Sequence, residues 1–333
     1  MNEAKKALAV YANIRKHVRD SQYECMCEGC KEKAINSHLL QRNGILSRVF
    51  ENGHMYEPKL TDILNNSFAN KHFEFKKIGV SNALSTKLFC NKHDTELFKK
   101  IEDESPVFND YNSHLLLSYR TTCAEKRKKE MEIEICTRAL NSETFKYQFS
   151  YLNEFKDDKD GLTKGVKDLN YYLSMMESEL KSPDSKFVFM QRTFPISGIY
   201  ASGLFSLTDH YIEIADEDTP LHFFIIHIVP VDKGSKIIIG YCKDHIQSWA
   251  KDYLHKFECI NDSNIEEYIT SILIRTNGWG ISPEVYNNID IKKATDFFIK
   301  FEDDIYTIDS KPYDKFNIFD GALFKAYKTR NIV

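Results

Sequence analysis

Apolar and polar positions along this chain of 333 residues follow two different periods, and the change falls near residue 186. Before it, helical spacing dominates. The opening MNEAKKALAVYANIRKHVRD places charges on both sides of a short apolar patch and predicts an amphipathic helix. NKHDTELFKKIED stacks Leu97 on Ile101 with Phe98 on the neighbouring stripe, a second helix. NSHLLLSYRTTCAEKRKKEMEIEICTRAL, over 112–140, contains no Gly or Pro and predicts a long one. Beyond it Leu162, Val166, Leu169, Leu173, Met176 and Leu180 recur every three or four residues, a helix-packing seam directed at the long helix. The intervening YLNEFKDDKDGLTKG is polar, acidic and glycine-containing, and reads as a linker. Residues 33–40 alternate and predict a short strand through Ala34, Ile35 and His38, and KHFEFKKIGV predicts another. Two Asn-Gly pairs in QRNGILSRVFENGHMYEP signal turns, closed by Pro58, and TDILNNSF suggests a helical turn.

From residue 186 the texture is that of strands: KFVFMQRTF, GIYASGLFSL, HYIEIA, LHFFIIHIVPV and SKIIIGYC, the last two joined through VDKGSK as a hairpin. Amphipathic helices follow in IQSWAKDYLHKF, NIEEYITSILIRT and DIKKATDFFIKF, and GWGISP reads as a turn. Strands that precede helices without alternating with them indicate an α+β architecture. The expected division is an N-terminal domain over 1–108, a helical connector over 109–182, and an α+β domain of antiparallel sheet plus helices over 183–333.

Composition narrows the class. A hydrophobic fraction of 42% and an aromatic fraction of 13% exclude a disordered chain, and no apolar run approaches the ~20 residues of a membrane-spanning helix. The opening segment lacks the apolar core of a secretory signal, which leads to the expectation of a cytoplasmic protein that does not engage a membrane. The net charge of −4 conceals an asymmetry: residues 1–100 carry 17 basic against 11 acidic side chains, and the remainder 28 against 38. A polyanion such as DNA or RNA would meet the first third. The mixed run EKRKKEMEIE within the long helix and the pair Tyr119-Arg120 both offer groups for phosphate, but at helical spacing the run reads as a solvated face with i, i+4 pairs and the pair as packing and bridging groups.

Cysteine usage is uneven. Cys123, Cys136, Cys242 and Cys259 are scattered among apolar residues and read as core thiols. Cys25, Cys27 and Cys30 fall within CMCEGC, offering both C-x4-C and C-x2-C spacings, and FCNKHD adds Cys90 and His93 at a helix start. Two short pairs, one on a turn and one at a helix N-terminus, are how a treble-clef zinc site closes its tetrahedron, so residues 1–108 are expected to form a zinc domain of treble-clef type. Thiolates and imidazole are ligands suited to Zn²⁺. With His38 there are six candidates for four places; His38 therefore stands open as zinc ligand, core histidine or catalytic group.

CEGCKEKAINSHLL followed by FCNKHDTELF resembles the zinc-containing HNH branch of the His-Me finger nucleases, over about residues 25–100. That resemblance implies that His38 is a general base, that Asp94 holds a catalytic Mg²⁺ or Mn²⁺, that Asn82 orients His38, and that zinc is structural. Two departures stand out: Ser37 occupies the place where the family often has an acidic residue, and the gap from His38 to Cys90 is long for a minimal finger. AINSHLLQ, FCNKHDTELFKKIED and LLLSYR are also similar to an uncharacterised bacterial family whose first pair is spaced C-x4-C, which favours Cys25 over Cys27. A nuclease finger joined to a C-terminal sensor or protein-partner domain would suit anti-phage defence. The competing expectation is a zinc-stabilised nucleic-acid- or protein-binding module without catalysis. His54 reads as an exposed loop histidine, and His222 and His227, five apart, cannot share a metal on one strand face. No P-loop, dinucleotide fingerprint, nucleophile elbow or HExxH motif occurs.

Overall fold

The computed structural model describes residues 3–60, 73–102, 108–146, 149–206, 220–246, 248–306 and 315–330; the expected elements at TDILNNSF and HYIEIA lie outside them. Its architecture is α+β, as the apolar pattern predicts. Helix α1 (Glu3–Asp20) precedes strand β1 (Asn36–His38) and the hairpin β2 (His54–Leu60) with β3 (Phe73–Gly79). Strand β4 (Ser85–Lys87) and helix α2 (Asn91–Phe98) lead into α3 (Tyr111–Leu140) and α4 (Phe149–Lys181). Then come β5 (Phe187–Phe194), β6 (Ile199–Phe205), β7 (Phe224–Val231) and β8 (Gly234–Cys242). After α5 (Ser248–Cys259) and α6 (Ile265–Leu273), strand β9 (Trp279–Ile281) returns to the sheet, followed by α7 (Pro283–Asn288), α8 (Ile291–Tyr306) and α9 (Ala322–Arg330).

β1 and β4 form a two-stranded antiparallel ladder with His38 opposite Ser85, and the remaining seven strands form one antiparallel sheet in the order β3-β2-β9-β6-β7-β8-β5. The β2–β3 hairpin, which lies before residue 108, is thus part of the same sheet as β5–β8, and β9 is the strand that joins them. GWGISP supplies that strand where a turn was expected. Its glycines serve close backbone approach: a Cβ at Gly280 would fall 2.2 Å from the Tyr200 hydroxyl, and one at Gly278 2.4 Å from the Ser202 carbonyl. Pro58 lies inside β2 and does not close it. β9 reaches β2 only at Tyr56, so beyond that residue one side of β2 has no ladder to break.

The segment expected to be a linker continues α4. Phe155 and Leu162 extend the apolar seam one heptad at a time, and the acidic residues between them form the outer face. α3 and α4 run antiparallel, with Tyr111 hydrogen-bonded to Glu179 and Tyr119 to Glu177, while Gly165 lies against the Lys129 side chain. The far end of this pair packs on α1 through Tyr11, Ile135 and Phe155. The near half of α3, Ser113 to Ala124, is buried between the sheet and the segment that contains β1, β4 and α2.

Both sheet faces are covered, which explains the nearly unbroken apolar run of β7. Ile226 and Ile228 face the core closed by α5, α6, α8 and α9; Ile225 and Val229 face α3. His227 shares the α3 face and is fully buried. Its Nδ1 lies 3.0 Å from Ser202 Oγ and its Nε2 3.4 Å from Ser118 Oγ, and Ser202 is 2.6 Å from Thr121 Oγ1. Burial, with a smaller contribution from His114, pushes this imidazole down to about 3. A histidine with a lowered folded pKa contributes stability above its unfolded value of about 6.5, and that stability is lost as pH falls toward the folded value. Stability should therefore fall by up to about 1.4 kcal/mol per pH unit through this residue below pH ~6.5. Denaturant midpoints across this window should fall less steeply in His227→Gln, and equal slopes would refute the assignment. Cys123, Cys136 and Cys242 are buried as expected; Cys259, at the end of α5, is exposed.

Candidate functional site

The knuckle is built by a short antiparallel turn. Glu24 bridges to Lys33, Cys25 N–H donates to Glu32 O at 2.8 Å, and Ala34 N–H donates to Tyr23 O at 2.8 Å. Gly29, at φ +73°, takes the left-handed conformation that such a tight reversal needs. Two further backbone bonds, Met26 N–H to Leu88 O and Ile35 N–H to Phe89 O, both 2.8 Å, dock the knuckle on the chain just before α2. Cys90 is the N-cap residue of α2, and His93 lies within its first turn.

This docking brings Cys25, Cys30, Cys90 and His93 together, with all four donor atoms within 4.8 Å of one another. His93 Nδ1 is 3.3 Å from Cys25 Sγ and 3.4 Å from Cys90 Sγ, and the Cys30 and Cys90 sulfurs are 4.0 Å apart. A zinc tetrahedron with Zn–S bonds of about 2.3 Å has edges of about 3.8 Å, so the Cys3His cluster is compatible with a structural zinc ion. The His93 backbone N–H holds the Cys90 thiol below its ordinary range, which favours the thiolate that a metal requires. The C-x4-C pair therefore enters the cluster. Cys27 stands beside it, and its thiol is pushed up to about 12, first by burial and then by the neighbouring Cys25.

His38 lies outside the four-residue cluster, at the end of β1. Its ring is half-buried, with Nε2 3.3 Å from the Val80 carbonyl. Burial lowers its pKa; Arg42 and Arg120 add to that, and the Val80 carbonyl and Asp94 oppose it. Asn82, expected to orient this ring, is exposed on the turn after β3, and the group that meets the imidazole is Val80. Asp94 follows the last cluster residue on α2, with its backbone N–H bonded to Cys90 O. Its side chain is 18% exposed, and its Oδ1 lies 3.7 Å from Arg120 Nη2. His54 is exposed and hydrogen-bonds the Asn52 carbonyl.

Glu57 and Glu102 were not legible as site residues, whereas the bridging role expected of Arg120 is found. Glu57 on β2 is buried, and its Oε1 accepts the Leu84 N–H at 2.9 Å and the Tyr200 hydroxyl at 3.0 Å. Leu84 sits at φ +39° just before β4, and its carbonyl accepts the Leu39 N–H at 2.9 Å. The large sheet thereby fixes the β1–β4 pairing beside His38. Glu102 Oε1 bonds Arg120 Nη2 at 2.6 Å, and Gln41 Nε2 donates to the Glu102 carbonyl at 2.6 Å. Arg120 is 1% exposed, with its guanidinium 3.8 Å above the Phe98 ring. The one signal in the sequence is an arginine inside the apolar run LLLSYRTTC, because a buried charge there must find a partner.

Comparison with protein-family models, with curated proteins and with solved structures finds no match to this chain.

Proposed function

We propose that this chain is a metal-dependent nuclease of the HNH type, with His38 as general base. The observation that carries the reading is that His38 lies outside the Cys3His cluster while sharing its electrostatic surroundings with Asp94. The chain order supports it: a two-stranded ladder ending in the histidine, then a helix that carries two cluster residues and the carboxylate. A carbonyl can only accept, so Val80 selects the tautomer with its proton on Nε2 and the lone pair on Nδ1. Nδ1 can then take a proton from a water molecule attacking a phosphodiester. Burial and the two arginines shift the imidazole toward its neutral form, the form a base needs. Asp94 would hold Mg²⁺ or Mn²⁺, whose chemistry is to stabilise charge on the leaving oxygen. The basic first third would meet DNA or RNA, and the body of the large sheet would act as sensor or partner platform, as in a defence nuclease.

The second reading, a zinc-stabilised binding module, is favoured by one contact: Arg120 already offers Asp94 a positive counter-charge. Assays with supercoiled plasmid and structured RNA, with Mg²⁺ or Mn²⁺ added to zinc-loaded protein, separate the two. Cleavage that requires the added ion is expected. Inactivity on both substrates with both metals would favour the binding module.

A further inference from the structure

β3 is the outermost strand of the seven-stranded sheet, and no strand among the described residues pairs with its far side. Pro58 fixes which groups that side presents. Proline has no N–H to give a ladder, and its neighbour across the hairpin is Phe75. The two therefore form a non-hydrogen-bonded pair, and the N–H and C=O of Phe75 point outward. Two residues away, in the same direction, the Phe73 N–H donates to Glu302 Oε1 of α8 at 2.9 Å rather than to β2. An open edge invites a further strand, and lone lysines on it usually deter one. On β3 the exposed Lys76 is matched by an exposed Glu74 two residues earlier, on the same face.

We infer that β3 pairs with β3 of a second copy of this chain, antiparallel about a two-fold axis through Phe75, so that one sheet runs across a homodimer. Axes through Glu74, Lys76 or Lys77 would each set a charge directly against its own copy, which is unfavourable. The axis through Phe75 sets Phe75 against Phe75 and Glu74 against Lys76, the latter twice because the interface is isologous. Lys59 and Glu57 lie across the hairpin from Glu74 and Lys76. Each row of side chains then alternates in sign over four strands: Lys59, Glu74, the partner's Lys76 and the partner's Glu57. In this register the partner's Lys77 comes opposite Phe73, beside the Glu302 carboxylate that holds the Phe73 N–H. On that face a groove of about 600 Å³ between β3 and α8 is lined by Phe73, Phe75 and Phe298. It carries Ile291 and Ile299, 84% and 53% exposed, an apolar area for the second copy to cover.

Sedimentation velocity of the full chain over a concentration series tests this, and wild type should dimerise within it. Glu74→Lys and Lys76→Glu each turn both charge pairs repulsive, and each should weaken the dimer roughly tenfold or more. Mixed in equal amounts, the two variants set opposite charges together again on both sides. The dimer should then recover, a gain that damage to the fold cannot imitate. If either charge variant does not fold, Lys77→Pro decides the matter: it removes an outward N–H, leaves the bonds to β2 in place, and should weaken the dimer. A wild type that stays monomeric at ~100 µM overturns the inference. So does a dimer of wild-type strength in folded Glu74→Lys, Lys76→Glu or Lys77→Pro, or a mixture of the two charge variants that fails to recover it.

Discussion

Removing zinc from the Cys25–Cys30–Cys90–His93 cluster is expected to undo the knuckle and its attachment to α2. The knuckle is held by a handful of backbone bonds, and the residues that close it are the cluster thiols themselves. Structural zinc contributes about 10–16 kcal/mol in small finger peptides, far more than those bonds supply. Without the ion, deprotonation of the clustered thiols would set like charges within a few ångströms of one another. Wild type and Cys27→Ser should therefore each retain about one zinc per chain, while Cys25→Ser and Cys90→Ser lose most of it. Chelation should lower the melting temperature of wild type by roughly 10 °C or more, because a loss of several kcal/mol shifts a domain of this size by a few degrees for each. Metal analysis and thermal melts on the same samples check both points. Zinc lost from Cys27→Ser and kept in Cys25→Ser would refute the assignment.

His38→Ala is expected to slow cleavage by about 10²- to 10⁴-fold, the usual worth of a positioned general base, with zinc content and melting temperature close to wild type. His38 is not one of the four clustered residues, so its removal leaves the Cys3His cluster intact. The pH dependence follows from the sign of its shift. In the proposed mechanism the base is the neutral imidazole, so activity should be lost as pH falls through its folded pKa. That pKa is lowered, first by burial and then by Arg42 and Arg120, with Val80 and Asp94 opposing. Wild type should thus stay active at pH ~6.5, where an ordinary histidine is half protonated, and decline only at more acid pH. A His38→Ala enzyme that cleaves at the wild-type rate, or a wild-type profile with no acid limb, would remove His38 from the mechanism.

Much of the architecture was legible in local pattern. The seam from Leu162 to Leu180 announces a helix because successive turns of one face must bury together, and the apolar run of β7 announces a strand, whose burial on both faces the packing then shows. Where local reading failed, the cause was a distant partner. GWGISP looks like a turn until β2 and β6 are placed on either side of it, and only then do its glycines serve close contact. The acidic stretch of α4 looks like a linker until Phe155 meets α1 and α3.

The candidate site divides in the same way. Its Cys3His cluster was within reach of the sequence because a zinc-compatible site needs thiols and an imidazole at short spacings, and short spacings are visible in one dimension. Which cysteine of the knuckle takes part was decided by the turn at Gly29 and the docking of Met26 and Ile35 on the segment before α2. The position of His38 outside the cluster, the substitution of Val80 for Asn82 at its ring, and the arrival of Glu57 and Arg120 depend on contacts between residues far apart in the chain. Residue spacing sets which side chains share a turn or a strand face. Long-range packing sets which buried charges meet, and here that packing brought Arg120 to Asp94.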